Sequence, residues 1–173
     1  MKILLIVTGS VAAYKACETI RAAKKQNHEV TCILTRGGAE FVSALQLSAL
    51  SGTKTYSHLW SEHDDNGMEH INLSREADVV LVAPASADII AKMAHGMADD
   101  LASSVLLAAN KPIYIAPAMN VEMWNKPATQ RNINQLEADG VNIIDPEDGD
   151  LACGEFGAGH LADVDDILEA INA

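Results

Sequence analysis

Ile3-Leu4-Leu5-Ile6-Val7 is a run of five apolar residues that stops abruptly at Thr8-Gly9-Ser10. An unbroken apolar run of this length, closed by turn residues, reads as a strand covered on both faces, the kind found in parallel sheets. It is too short for the apolar core of a signal peptide, so it is read as the first strand. The theme recurs at residues 30–34, 79–83, 113–116 and 141–144. Longer amphipathic stretches lie between these runs at 11–26, 38–50, 87–94, 99–109 and 129–138, and a last one follows at 164–171. Strand and helix in alternation predict an α/β fold: one doubly wound domain over residues 1–173, a mostly parallel sheet with helices on both faces.

Composition agrees with that reading. At roughly 150 residues per domain, 173 residues make about one. Hydrophobic residues are 49% and charged ones 21%, which suits a packed core and excludes a disordered chain. Lys plus Arg number 12 and Asp plus Glu 24, a net charge of −12. Such a chain has no general attraction for polyanions, and aromatics at 4% leave few rings for base stacking. Nucleic acid is excluded as the main partner. No apolar run approaches the ~20 residues of a membrane span. Three cysteines without framework spacing, Cys17, Cys32 and Cys153, indicate a reduced, cytoplasmic protein.

Parallel sheets bind ligands beyond the carboxyl ends of their strands, so the loops there carry the functional reading. The first is Thr8-Gly9-Ser10-Val11. It has one glycine where a dinucleotide fingerprint needs three, so no NAD site is expected. Gly9 permits a tight turn, and Ser10 at a helix start suits either an ordinary cap or a phosphate. The second loop, Thr35-Arg36-Gly37-Gly38, again places a hydroxyl and a positive charge ahead of a helix. Two such loops on adjacent strands suit one phosphate monoester, as in a mononucleotide. The third, Pro84-Ala85-Ser86-Ala87-Asp88, offers Ser86 as an N-cap and small residues that let a flat ligand approach. The fourth, Pro117-Ala118-Met119-Asn120-Val121-Glu122-Met123-Trp124, surrounds one amide with apolar side chains.

Three histidines, His58, His63 and His70, match no common zinc spacing, and no metal site is expected. His70 lies in Met68-Glu69-His70-Ile71-Asn72-Leu73. It shares a side with Asn72 if the segment is extended and with Leu73 if it is helical. Cys17 and Cys32 fall in a predicted helix and strand and read as inert buried thiols. Cys153 differs: it sits in the glycine-rich run Leu151-Ala152-Cys153-Gly154-Glu155-Phe156-Gly157-Ala158-Gly159. That run ends a long connection, residues 145–159, which is a candidate lid or clamp. Residues 57–67 read as a solvated polar loop.

Taken together in order, these motifs resemble the homo-oligomeric flavin-containing cysteine decarboxylases, from Gly9-Ser10 to Gly159. Ala98-Asp99-Asp100-Leu101 belongs to the same set. The resemblance implies a flavodoxin-like or Rossmann-like fold that binds FMN, in a homotrimer or a homododecamer of trimers, with FMN near a subunit interface. It implies that Gly9, Ser10, Val11, Thr35, Arg36, Gly37, Ser86, Ala87, Asp88 and Ala118 line FMN. His70 would be the catalytic histidine, Asn120 would hold a small-molecule substrate's carboxylate, and Cys153 on the clamp would act in the final reduction. Asp88 stands where the family often has Asn. It is expected to face the flavin ring or to bond a backbone N–H, since a phosphate would repel it. The clamp reads Gly159-His160-Leu161 where the family has Gly-Arg-Met. A histidine replaces that arginine's charge only when protonated. In many bacteria a ligase domain follows in the same chain; here the sequence stops at Ala173, and a separate ligase chain or an excised domain is expected. The alternatives weighed are a peptidyl-cysteine decarboxylase and a non-catalytic flavoprotein that regulates a partner. Intact His70, Asn120 and Cys153 favour catalysis on a small molecule.

Overall fold

The computed structural model describes residues 1–60, 67–151 and 154–173. Its centre is β1 (Lys2–Val7), in which side chains alternate between two apolar cores. Ile3, Leu5 and Val7 enter one core and Leu4 and Ile6 the other, which is why the sequence shows no polar alternation. β2 (Glu29–Leu34) and β4 (Val79–Ala85) flank β1, both parallel to it. β3 (Thr55–Tyr56) extends the sheet beyond β2, while β5 (Ile113–Pro117) and β6 (Asn142–Ile143) extend it beyond β4. The six strands run in the order β3-β2-β1-β4-β5-β6, all pairs parallel. Successive strands are added on one side of β1 as far as β3 and on its other side from β4 onward, and a crevice opens at the carboxyl ends of β1 and β4, where that order switches.

One face of the sheet is covered by α1 (Lys15–Lys25), α2 (Ala44–Ser51) and α8 (Val164–Asn172). α1 buries Ala16, Cys17, Ile20 and Ala23, a helical stripe, against Leu5 and Cys32 in that core. The other face is covered by α3 (Glu69–Glu76), α4 (Ala87–Ala94), α5 (Leu101–Ala108) and α7 (Pro127–Ala138). Leu73, Ile90, Val105 and Leu136 meet Leu4 and Val82 there. Each such leucine or isoleucine, fully buried, contributes roughly 1.5–3 kcal/mol. No helix among the described residues is long and apolar enough to cross a membrane.

The alternation read from the sequence is the observed one, with local differences. The stretch 11–26 is two elements, a 3-10 turn over Val11–Tyr14 and then α1. The stretch 38–50 likewise divides into a 3-10 turn at Gly38–Glu40 and α2, which starts only after Ser43 accepts a bond from Gln46 N. Gly38 lies so close to β1 that a Cβ there would be 2.6 Å from the Val7 carbonyl oxygen. β3 and α6 (Val121–Trp124), each too short for a clear periodicity, were not anticipated. The segment around His70 is helical, so His70 shares its side with Leu73 and not Asn72. The connection 145–159 contains an antiparallel hairpin, β7 (Glu147–Asp150) and β8 (Phe156–His160).

Candidate functional site

Two adjoining cavities occupy the crevice at the carboxyl end of the sheet. The first, about 490 Å³, is lined by Gly9, Ser10 and Val11 after β1, by Ser86 and Ala87 after β4, and by Ala118, Met119 and Asn120 after β5. Asp150, Leu151, Gly159 and His160 of the hairpin close its far side. The second, about 630 Å³, is lined by Gly9, Thr35, Arg36, Gly37, Ser86, Ala87 and Asp88, with Lys92 and Asp100 at its edge. Gly9, Ser86, Ala87 and Met123 belong to both. Loops from four strands thus meet at one place although they lie far apart in sequence.

The hydroxyls of these loops divide into those that hold the scaffold and those that retain a proton to give. Thr8 Oγ1 donates to the Pro84 carbonyl at 2.7 Å and accepts from Ser86 N at 2.9 Å, locking the β1 and β4 loops together. Thr35 Oγ1 donates to the Val7 carbonyl at 3.2 Å and accepts from Gly38 N at 3.1 Å, so its hydroxyl serves the turn. Ser10 and Ser86 are caps: Ser10 Oγ accepts from Ala12 N at 3.3 Å and Ser86 Oγ from Ile89 N at 3.3 Å. Their own hydroxyl protons remain available to a ligand. Gly9 and Gly37 lie in contact, a Cβ on Gly9 falling 3.1 Å from the Gly37 backbone carbon. Side chains there would wedge apart the two loops that form the cradle.

Charge is unevenly placed. Arg36 is exposed, and no carboxylate among the described residues pairs with it. Lys92 is held by three: Asp99 at 3.1 Å, Asp88 at 3.4 Å and Asp100 at 3.5 Å. Burial pulls the Lys92 pKa down, but the hydrogen bond with Asp99 and the charges of Asp100, Asp88 and Asp99 outweigh it and leave the group above its ordinary 10.5. The same hydrogen bond holds the Asp99 carboxyl below its ordinary 3.8. Of the two expectations for Asp88, it lines the second cavity where a ring could lie, and in place of a backbone N–H its carboxylate pairs with Lys92, one helical turn on. Lys92 itself went unnoticed in the sequence, although its i,i+4 spacing from Asp88 was the available signal.

Asn120 has a defined orientation. Its Oδ1 accepts from Glu122 N at 2.8 Å and from Met123 N at 3.4 Å, capping α6. The amide NH₂ therefore points the other way, where it donates to the Glu155 carboxylate of the hairpin. β8 lies directly on this loop. Met119 N bonds the Gly159 carbonyl at 3.0 Å, and a Cβ on Gly159, whose φ is 129°, would stand 2.3 Å from the Met119 carbonyl oxygen.

His70 lines neither cavity; it is half-buried on α3, and its Nδ1 is enclosed without a hydrogen-bond partner among the described residues. Cys153 lies outside the described residues, as does His63. Cys17 and Cys32 are buried, and burial pushes both thiols up, Cys32 to about 12. Neither lines either cavity. Tyr14, which ends the 3-10 turn, and Lys15, which begins α1, also line the first one and were not among the expected site residues.

A structure of PPC decarboxylase, a cysteine-to-serine mutant complexed with pantothenoylaminoethenethiol, superposes with a TM-score of 0.86 at 32% identity, covering 99% of this chain and 96% of that one. A probable phosphopantothenoylcysteine decarboxylase of Streptococcus mutans is 42% identical over 172 residues, 98% of this chain and 96% of the relative. The coenzyme A biosynthesis bifunctional protein CoaBC of Haemophilus influenzae is 42% identical over 170 residues, which is 98% of this chain. The chain spans only 42% of that relative's length. A family model described as Flavoprotein matches residues 1–173, and with every residue inside that match the chain belongs to the flavoprotein family.

Proposed function

We propose that this chain is an FMN-dependent decarboxylase that converts 4′-phosphopantothenoylcysteine to 4′-phosphopantetheine in coenzyme A biosynthesis. The observation that carries the reading is Asn120. Asn120 lines the first cavity, and its own cap leaves a neutral amide donor that already holds one carboxylate, that of Glu155, in a chain 42% identical to a probable decarboxylase of this substrate.

The cradle fits FMN. One phosphate and one flat ring suit two adjoining cavities lined by small residues, with a single-glycine first loop in place of a dinucleotide fingerprint. Arg36 and the Ser10 and Ser86 hydroxyls would serve the phosphate and ribityl oxygens. Gly9, Val11, Gly37, Ala87 and Ala118 would leave room for the ring, while Thr35 would hold the loop and Asp88 would act through Lys92. FMN supplies the electron sink that a cysteine carboxylate needs, by oxidising the thiol-bearing carbon and giving the electrons back after carbon dioxide has left.

Around that chemistry the residues have separate tasks. Asn120 orients the carboxylate without a permanent cation, which would stabilise the ionised ground state and oppose its loss. His70 handles a proton at the substrate thiol. It lines neither cavity of its own chain, which supports a reading in which a second copy brings it to the site, in a homo-oligomer that is a trimer or a dodecamer of trimers. Cys153 gives a proton to the enethiol carbon in the closing reduction. The PPC decarboxylase structure pairs a cysteine-to-serine change with an aminoethenethiol compound, the species that a missing late donor would leave. A cytoplasmic location and a ligase that makes the cysteine adduct complete the reading.

The test is direct. Purified protein should be yellow, release FMN on denaturation, and liberate carbon dioxide from 4′-phosphopantothenoylcysteine. Protein that takes up no FMN, or flavin-loaded protein that yields no carbon dioxide, overturns the proposal.

A further inference from the structure

Asn120 does not wait for its ligand with an unpaired donor. The hairpin places the Glu155 carboxylate on the amide NH₂. The cap bonds from Glu122 N and Met123 N hold Oδ1, so the amide cannot rotate to offer a second face. Glu155 is exposed and sits at the hairpin tip, where Leu151 N bonds its carbonyl at 2.8 Å. β8 beyond it is fixed to Met119 through Gly159. Anchored strand and exposed side chain together mean that the carboxylate can leave Asn120 while the hairpin stays docked.

We propose that Glu155 is a positioning and specificity residue, an internal stand-in for the substrate carboxylate that the substrate must displace from Asn120. The inference rests on the reading that Asn120 holds that carboxylate. Two carboxylates on one small amide repel, so binding exchanges one for the other. The exchange has a chemical consequence. The substrate's carboxylate gains little over the bond it replaces, so the ground state that must lose the carboxylate is not over-stabilised. The product has no carboxylate, so Glu155 returns to Asn120 when the product is bound.

Titration calorimetry on the flavin-loaded protein tests this with two probes. 4′-Phosphopantothenoylserine carries the carboxylate and no thiol to oxidise; 4′-phosphopantetheine carries the thiol and no carboxylate. Glu155→Ala should bind the serine probe about 3- to 10-fold more tightly than wild type, the range of one ordinary net hydrogen bond, because the competing Glu155 carboxylate is exposed to water. Its affinity for 4′-phosphopantetheine should not change. Glu155→Gln, which keeps an acceptor oxygen without the charge, should fall between the two proteins. Unchanged affinity for the serine probe in Glu155→Ala, or equal changes for both probes, overturns the stand-in role. Failure of wild type to bind either probe instead overturns the substrate assignment, and the stand-in falls with it.

Discussion

Asn120 joins two demands in one side chain at the first cavity: its oxygen caps α6 and its nitrogen donates to a carboxylate. Aspartate caps a helix as well as asparagine does but has no hydrogen to donate. Asn120→Asp should therefore fold, keep FMN, and lose at least ~100-fold in kcat/KM, since a like-charge contact costs several kcal/mol. Flavin absorbance and carbon dioxide release measure the two halves separately, and near-normal turnover would remove Asn120 from carboxylate binding. Thr35 shows what sequence reading misses at this scale. Its position after β2 was legible, but the use of its hydroxyl within the turn depends on how close the Val7 carbonyl and Gly38 N come.

Two contacts between elements govern the site. Lys92 ties α4 to the start of α5 through Asp99 and Asp100. Lys92→Met leaves three carboxylates crowded together and should lower Tm by ~2–4 °C near neutral pH, a modest figure because the partners are exposed. Asp99's folded pKa lies below 3.8, so its share of the stability is complete above that value and is lost as pH falls through the depressed one. Lys92's folded pKa lies above 10.5, so its share is complete below that value and is lost as pH rises through the raised one. Melting scans against pH should show the wild-type advantage over Lys92→Met only between those limits. The second contact is β8 against the Met119–Asn120 loop. Gly159→Ala puts a methyl 2.3 Å from a carbonyl oxygen at a φ of 129°, and the hairpin must lift. We expect FMN retained, faster proteolytic cutting within residues 145–160, and carbon dioxide release down ~10-fold or more. Unchanged proteolysis would show that the hairpin does not depend on this approach.

At the scale of the whole molecule, each chain has an Asn120 at its cavity and a His70 away from it. His70→Asn and Asn120→Asp homo-oligomers should each hold FMN and be inactive. Mixed by co-expression, they should recover activity to about a quarter of wild type, the share of interfaces in which both residues are native. No recovery in mixed oligomers that sediment like wild type would mean that both residues act from one chain.

The sequence by itself determined the alternation of strand and helix, because strands buried on both faces must be apolar throughout and the helices over them amphipathic. It also placed the loops that carry Ser10, Arg36, Ser86 and Asn120, because each follows directly on an apolar run. Only the tertiary structure decided the strand order, and with it the crevice between β1 and β4 where those loops meet. It also decided which charges pair and where the hairpin rests. Lys92 with Asp99 and Asn120 with Glu155 lie on different elements, and a one-dimensional pattern carries no distance between elements. Local periodicity is written residue by residue; convergence depends on how the packed layers bring distant loops together.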